Sequence, residues 1–179
     1  SLAMAAAAVW AGHPALAADS VDAAAAKREG KVVWYTSTPI EAAQKVAALF
    51  EKETGVRVEL FRSGGTAVLR RVLQEVDAGR VAVDVLTASD PAAFAQLAKR
   101  GIFVPFKPEH FDKIPDAAKH PDGLYIAQRL NMLTMFARED KVAAADYPKA
   151  WTDLANPKYK GKMVMPDPSF TALQLMVVG

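Results

Sequence analysis

Three short polar segments carry the residues most able to do chemistry. Arg62-Ser63-Gly64-Gly65-Thr66 sets a guanidinium beside two hydroxyls and two residues without side chains. Ser37-Thr38 and Thr87-Ala88-Ser89-Asp90 offer further hydroxyls and one carboxylate. Each segment runs into a helical pattern, and the first turn of a helix presents unpaired N–H groups and a partial positive charge. Glycines let a ligand approach the backbone, and Arg62 adds a formal charge, so the chemistry on offer is capture of a small oxyanion. Any one segment alone reads as an ordinary helix cap. Three at one sheet edge read as a ligand site of Ser37, Thr38, Arg62, Ser63, Gly64, Gly65, Thr66, Ser89 and Asp90. Asp167 to Thr171 repeats the device, which adds Ser169, Phe170 and Thr171 on the opposite side of a gap.

Signatures of other chemistry are missing. Ser63-Gly64-Gly65 lacks the Gly-Lys-Ser/Thr ending of a phosphate-binding P-loop and is no dinucleotide fingerprint, and no Gly-x-Ser-x-Gly elbow occurs. The sequence holds no Cys, which removes thiolate metal sites and cysteine nucleophiles. His110 and His120 lie apart, without metal-binding spacing. Asp153, Glu109 and Asp112 read as solvated or capping groups. No catalytic residue, metal or cofactor is assigned.

The elements that must position these loops follow from periodicity. Lys31–Thr36 is β-branched and aromatic, a buried strand. Thr38 reads as an N-cap with Pro39 at the first helical position and Glu41 completing a capping box. Ile40, Ala43, Val46, Ala47 and Phe50 then form an inner face up to Gly55. Val56–Phe61 is a second strand. It leads into a helix whose face is Val68, Leu69, Val72, Leu73 and Val76, closed by Gly79. Val81–Thr87 is a third strand, and Asp90-Pro91 caps a helix packed through Phe94, Leu97 and Ala98. Alternating strands and helices specify an α/β domain with a parallel sheet, whose ligands bind at the carboxyl ends of the strands. Beyond Gly101 the prolines break the chain into a wrapping segment. Leu124–Ala137 is a long extended run, Trp151–Leu154 a helical bit, Lys162–Met165 a strand, and Phe170–Val178 the start of an apolar helix. Trp34, Tyr35 and Phe61 read as core, with Tyr35 a possible cleft residue. Met132, Met135, Met163, Met165 and Met176 read as core filling.

Composition sets the outer limits. Of 179 residues, 51% are hydrophobic and 23% charged, enough to bury a core. Lys and Arg number 22 against 20 Asp and Glu, interspersed, so no basic tract suited to nucleic acid is present. The first residues, SLAMAAAAVWAGHPALA, combine an apolar run too short to span a bilayer with a small-x-small ending. They read as the remnant of a signal peptide over 1–17, cleaved near Ala17, which implies export to the periplasm without membrane insertion.

VVWYTSTPIEAAQKVAALFEKETGVRVEL, SGGTAVLRRVLQE, VDVLTASDPAAFAQLAKRGIFVPF and WTDLANPKYKGKMVMPDPSF together resemble bacterial extracellular solute-binding proteins of ABC importers. The similarity is to the type 2 periplasmic-binding branch that holds ferric-iron, thiamine, polyamine and phosphonate binders. That resemblance implies two α/β lobes joined by a hinge, with ligand trapped between them. Here it implies a first lobe over 21–104, a wrapping segment and crossover over 105–137, and the start of a second lobe over 138–179, truncated at Gly179. It also implies a small-molecule solute, a membrane permease as partner, and a monomer. Ferric binders of the branch carry a His after the first strand and an acid after the third, where this sequence has Pro39 and Ala88. A phosphonate, phosphate ester or carboxylate is therefore the expected solute, with Asp90 or Asp167 available to an amine on the same molecule. The alternatives are a ferric-iron, polyamine or thiamine binder, an enzyme on the same fold that would lean on Asp90, and the effector half of a transcription regulator.

Overall fold

The computed structural model describes residues 21–174. The leader at 1–17, with its cleavage point, lies outside the described residues. So does the end of the apolar stretch 170–178, from 175 on and including Met176; its described part holds one helical turn at 172–174.

The chain opens with α1 (Ala23–Glu29), an Ala-rich helix capped by Asp22, whose carboxylate accepts from the Ala25 amide at 2.8 Å. Its C-terminal cap, Gly30, takes a left-handed conformation and turns directly into β1 (Lys31–Thr36). Then follow α2 (Ile40–Thr54), β2 (Arg57–Arg62), α3 (Gly65–Asp77), β3 (Val85–Thr87) and α4 (Pro91–Lys99). The three strands form one parallel sheet in the order β2-β1-β3. The strand period of two sends Tyr35 to one face and Trp34 and Thr36 to the other. Tyr35 is the hub of the core, packed with Val68, Leu69 and Val72 of α3 and Leu97 of α4.

A half-buried polar network fixes α3 to this face. The Tyr35 hydroxyl donates to Glu75 Oε1 at 2.7 Å, and the Ala82 amide donates to Glu75 Oε2 at 3.0 Å. Arg71 Nε reaches Glu75 Oε1 at 3.0 Å, and the same guanidinium lies over the Tyr35 and Phe61 rings. At the other end of the domain, Asp90 caps α4, with its carboxylate accepting from the Ala93 amide at 3.0 Å and Pro91 in the first turn. Asp90→Ala is expected to cost about 1 kcal/mol of stability in urea unfolding. An unmoved midpoint would show that α4 does not depend on this cap.

Several expected elements differ. Thr38 is not the N-cap of α2: Pro39 occupies that position without a side-chain cap bond, and the Thr38 hydroxyl is engaged elsewhere. Of the inner face expected for α2, only Ala43 is fully buried, while Ile40, Val46 and Phe50 are exposed because no described residue covers that side. The third strand begins four residues later than expected. At Asp84 the side-chain carboxylate takes the Val33 amide at 2.8 Å, so regular ladder pairing starts only beyond it.

After α4 the described chain holds short 3-10 turns, among them Trp151–Ala155, and the single helical turn at 172–174. The run 124–137 is extended but joins no sheet; Ile126 alone makes an isolated bridge, to Lys119. Lys162–Met165 is not a strand. A strand's N–H and C=O groups need a neighbouring strand, and none lies beside it among the described residues. For the same reason Met132, Met163 and Met165 are exposed rather than core, and Met135 is only half-buried. The wrapping segment is anchored instead by aromatic packing. Tyr125 meets Phe94 of α4 at 5.8 Å and Phe103 at 6.3 Å, with His120 at 5.2 Å on its other side.

Candidate functional site

Register decides where the loops go. Thr36, Arg62 and Thr87 end their strands in one row, since Thr36 pairs with both Arg62 and Thr87. Two further bonds carry the ladder into the loops: the Ser37 amide donates to Thr87 O at 3.0 Å, and the Ser63 amide to Thr36 O at 3.2 Å. The loops after β1, β2 and β3 therefore leave the sheet at one level. Behind them the Thr87 hydroxyl accepts from Trp34 Nε1 at 3.1 Å and pairs with the buried Thr36 hydroxyl. These bonds tie the row of strand ends together.

A cavity of about 300 Å³ opens at this rim. Ser37 and Pro39 reach it from the first loop, Arg62, Gly64 and Gly65 from the second, and Ser89 from the third. Phe170 and Thr171, with Ala172 and Leu173, form the wall contributed by the later segment. The cavity also takes Arg129 and Asn131 from the extended run.

The remaining expected residues lie off the cavity wall. Thr38 is 4% exposed and sits behind the first loop, where its amide donates to Thr36 Oγ1 at 3.0 Å. Its carbonyl accepts from Arg62 Nε at 3.2 Å, and its hydroxyl accepts from Arg129 Nη1 at 3.3 Å. Asp90 is occupied as the cap of α4. Ser63 follows Arg62 without lining the cavity, and the Thr66 hydroxyl is buried without a hydrogen-bond partner. Ser169 lies in a turn where its amide donates to the Asp167 carboxylate at 2.8 Å. Hydrogen bonds from Ser169, side chain first and then backbone, hold that carboxyl below its usual pKa.

The later segment does not face the glycine turn across a gap at Gly64. A Cβ on Gly64 would fall 2.4 Å from Phe170 O and 2.9 Å from the Phe170 ring. A Cβ on Gly65 would meet Ala172 Cβ at 3.2 Å. The two glycines thus serve close packing between segments as well as access to the backbone.

Arg129 and Asn131 were not among the expected site residues. The signal for them is periodicity: two polar residues spaced by two in an apolar extended run lie on the same side of the backbone. Asn131 Nδ2 in turn donates to Ser89 Oγ at 3.3 Å, which links the extended run to the third loop. Among the described residues no group of three or more His, Cys, Asp or Glu side chains could hold a metal ion. No described helix is long and apolar enough to cross a membrane. The arrangement can therefore offer guanidinium, hydroxyl, side-chain amide and backbone N–H donors to one small molecule.

Comparison with known proteins agrees with this architecture. The chain is 26% identical over 128 residues to a probable ABC transporter periplasmic-binding protein of Sinorhizobium fredii, a match covering 72% of this chain and 35% of that protein. Iron-bound HitA from Pseudomonas aeruginosa superposes with a TM-score of 0.59 at 20% identity, covering 72% of this chain and 42% of HitA. The periplasmic binding protein AfuA from Actinobacillus pleuropneumoniae, solved with fructose-6-phosphate, gives a TM-score of 0.61 at 19% identity, over 80% of this chain and 46% of AfuA. The fold is that of the type 2 periplasmic binding proteins. The chain spans between 35% and 50% of the length of the curated relatives it matches. Residues 82–179, more than half of the chain, match the family model described as bacterial extracellular solute-binding protein, and the chain belongs to that family.

Proposed function

We propose that the protein is the periplasmic receptor of an ABC importer and that it captures a small oxyanionic solute. The observation that carries this reading is the cavity at the carboxyl rim of the parallel sheet, where Arg62 stands beside the Gly64-Gly65 start of α3. An open α/β sheet concentrates ligand binding at that rim, and a guanidinium beside the first turn of a helix stabilises negative charge. The receptor works by trapping the solute between lobes, the first at 21–104 and the second beginning near 138, with the run 105–137 crossing between them. It hands the solute unchanged to a membrane permease and acts as a monomer.

AfuA was solved with fructose-6-phosphate and HitA with iron. The donor set here favours the anionic class, because Arg62 and Arg129 in the cavity wall repel a trivalent cation.

A thermal-shift screen of the intact protein against phosphate esters, phosphonates, carboxylates, polyamines and Fe³⁺ tests the class, since a tight ligand raises the melting point by mass action. Arg62→Ala is expected to weaken binding of the anionic hit by about 1.5–3 kcal/mol in calorimetry. Unchanged affinity would remove Arg62 from the site, and turnover of the hit would replace a receptor with an enzyme.

A further inference from the structure

We infer that the site selects a doubly charged oxyanion head of the phosphate-monoester class, and that Arg129 on the extended run is the residue that reads the second charge. This rests on the oxyanion reading above and narrows it.

Two guanidiniums, Arg62 and Arg129, enter the same cavity from segments far apart in sequence. Each is held by one bond to a neutral oxygen of the same residue: Arg62 Nε by Thr38 O at 3.2 Å, and Arg129 Nη1 by Thr38 Oγ1 at 3.3 Å. A guanidinium has five N–H donors, so each keeps four for other partners. Four other arginines of this chain pair with carboxylates, Arg57 with Glu59, Arg71 with Glu75, Arg100 with Asp77 and Arg138 with Asp140, whereas Arg28, Arg70 and Arg80 make no such pair among the described residues. Neither cavity arginine has such a partner among the described residues, and no Asp or Glu lines the cavity.

The wall thus carries two uncompensated positive charges. A monoanion neutralises one and leaves the other repelled and unpaired. A dianion neutralises both and accepts from both forks, which is the arrangement arginine favours with phosphate. Thr38 is a positioning residue. Its burial fixes the two oxygens that orient both guanidiniums, and its hydroxyl acts on Arg129 alone.

The described charged groups of the cavity are Arg62 and Arg129, and no His, Asp or Glu lines it. The neighbouring carboxylates accept backbone N–H groups, Asp90 from Ala93 and Asp167 from Ser169. A pH dependence of binding near neutrality therefore belongs to the ligand.

The experiment is calorimetric titration of the intact protein with glucose 6-phosphate, its methyl phosphodiester and gluconate. The monoester is expected to bind at least tenfold tighter than either monoanion. Its affinity should drop about tenfold between about pH 7.5 and about pH 5, as a phosphate with a second pKa near 6 loses its second charge. Affinity for gluconate should stay level. Arg129→Gln should weaken the monoester at least tenfold more than it weakens either monoanion, which removes the monoester preference. Arg129→Lys, which keeps the charge but not the fork, should retain part of the preference. Thr38→Val, which removes the hydroxyl but not the carbonyl, should reduce the monoester preference without removing the Arg62 contribution. Monoanions binding as tightly as the monoester, or Arg129→Gln weakening all three equally, would overturn the dianion inference and leave the oxyanion reading standing. Failure of all three probes to bind, with a cation binding instead, would overturn both.

Discussion

Gly64→Ala should loosen the wall that residues 167–174 add to the cavity while leaving the sheet intact. Gly64 has φ −62° and ψ 151°, a conformation open to any residue, so alanine brings no backbone strain there. The cost is steric: the new methyl would sit 2.4 Å from Phe170 O and 2.9 Å from its ring. The closest obstacle is backbone, which no change of rotamer can move aside. Overpacking of this kind costs about 1–3 kcal/mol when the neighbour cannot yield. Here the neighbouring segment yields more easily than the core, because Phe170 is 55% exposed whereas Val68, one turn into α3, is fully buried. Hydrogen exchange should therefore speed up at the amides of Phe170, Thr171 and Gln174, which donate within this segment to Asp167 and Thr171. The β1 amides should be unaffected. Affinity for the solute should fall at least tenfold, by about 1.4 kcal/mol or more. Gly64→Ala combined with Phe170→Ala should recover little, since the ring is the lesser clash. Wild-type exchange at 170–174 in the single variant would show that this segment does not rest on the glycine turn.

The parts of the fold that were legible in the sequence are those set by local pattern. Lys31–Thr36 was readable to the residue because its β-branched and aromatic run is bounded by Gly30 and the polar Ser37. Asp90-Pro91 was readable as a cap because the chemistry of that pair is confined to one helical turn. What needed a distant partner was not legible. The extent of β3 depended on whether the Val33 amide would be taken by a strand carbonyl or by the Asp84 carboxylate, and nothing within 81–87 decides that. The strand expected at 162–165 has the right composition but no neighbour among the described residues. Thr38 was read as a cap from its spacing to Glu41, yet its hydroxyl is engaged by Arg129, 91 positions away. The cavity shows the same division. The loops after the strands follow from parallel topology, whereas Arg129 and Asn131 enter through the tertiary path of the extended run.

Glu75 belongs to that second group, and its replacement should damage stability strongly although it lies at the edge of the core. Forty residues separate it from Tyr35, so no helical pattern marks it; on α3 it reads as one more surface acid. In the structure it satisfies three donors at once: the Tyr35 hydroxyl, the Arg71 guanidinium and the Ala82 amide. Tyr35 is 2% exposed, so without Glu75 its hydroxyl loses its partner inside the core. Glu75→Ala should therefore cost about 1–3 kcal/mol, chiefly from the orphaned hydroxyl, since Ala82 is exposed and water can take its amide. The Arg71 contribution is smaller, since that side chain is 44% exposed and water screens it. The pH dependence has a definite sign. Burial pushes the Glu75 carboxyl up, but the Ala82 amide, the Tyr35 hydroxyl and Arg71 together outweigh it and hold the pKa below its ordinary value. A carboxyl lowered in the folded state adds stability that is full above the ordinary glutamate range, about pH 4.3, and is lost as pH falls through the folded value. Tyr35 is shifted the other way: burial, then its bond to Glu75, raises it. Its contribution is full below about pH 10 and lost as pH climbs beyond. Glu75→Gln keeps one acceptor for one donor and has no acid to titrate. It should lose about half as much as Glu75→Ala at neutral pH and show a flatter decline in stability below about pH 4.3. Urea midpoints measured from acid to neutral pH test this. A glutamine variant as stable as the parent, with the same acid limb, would mean that the carboxylate is dispensable and that apolar packing around Tyr35 alone holds α3 to the sheet.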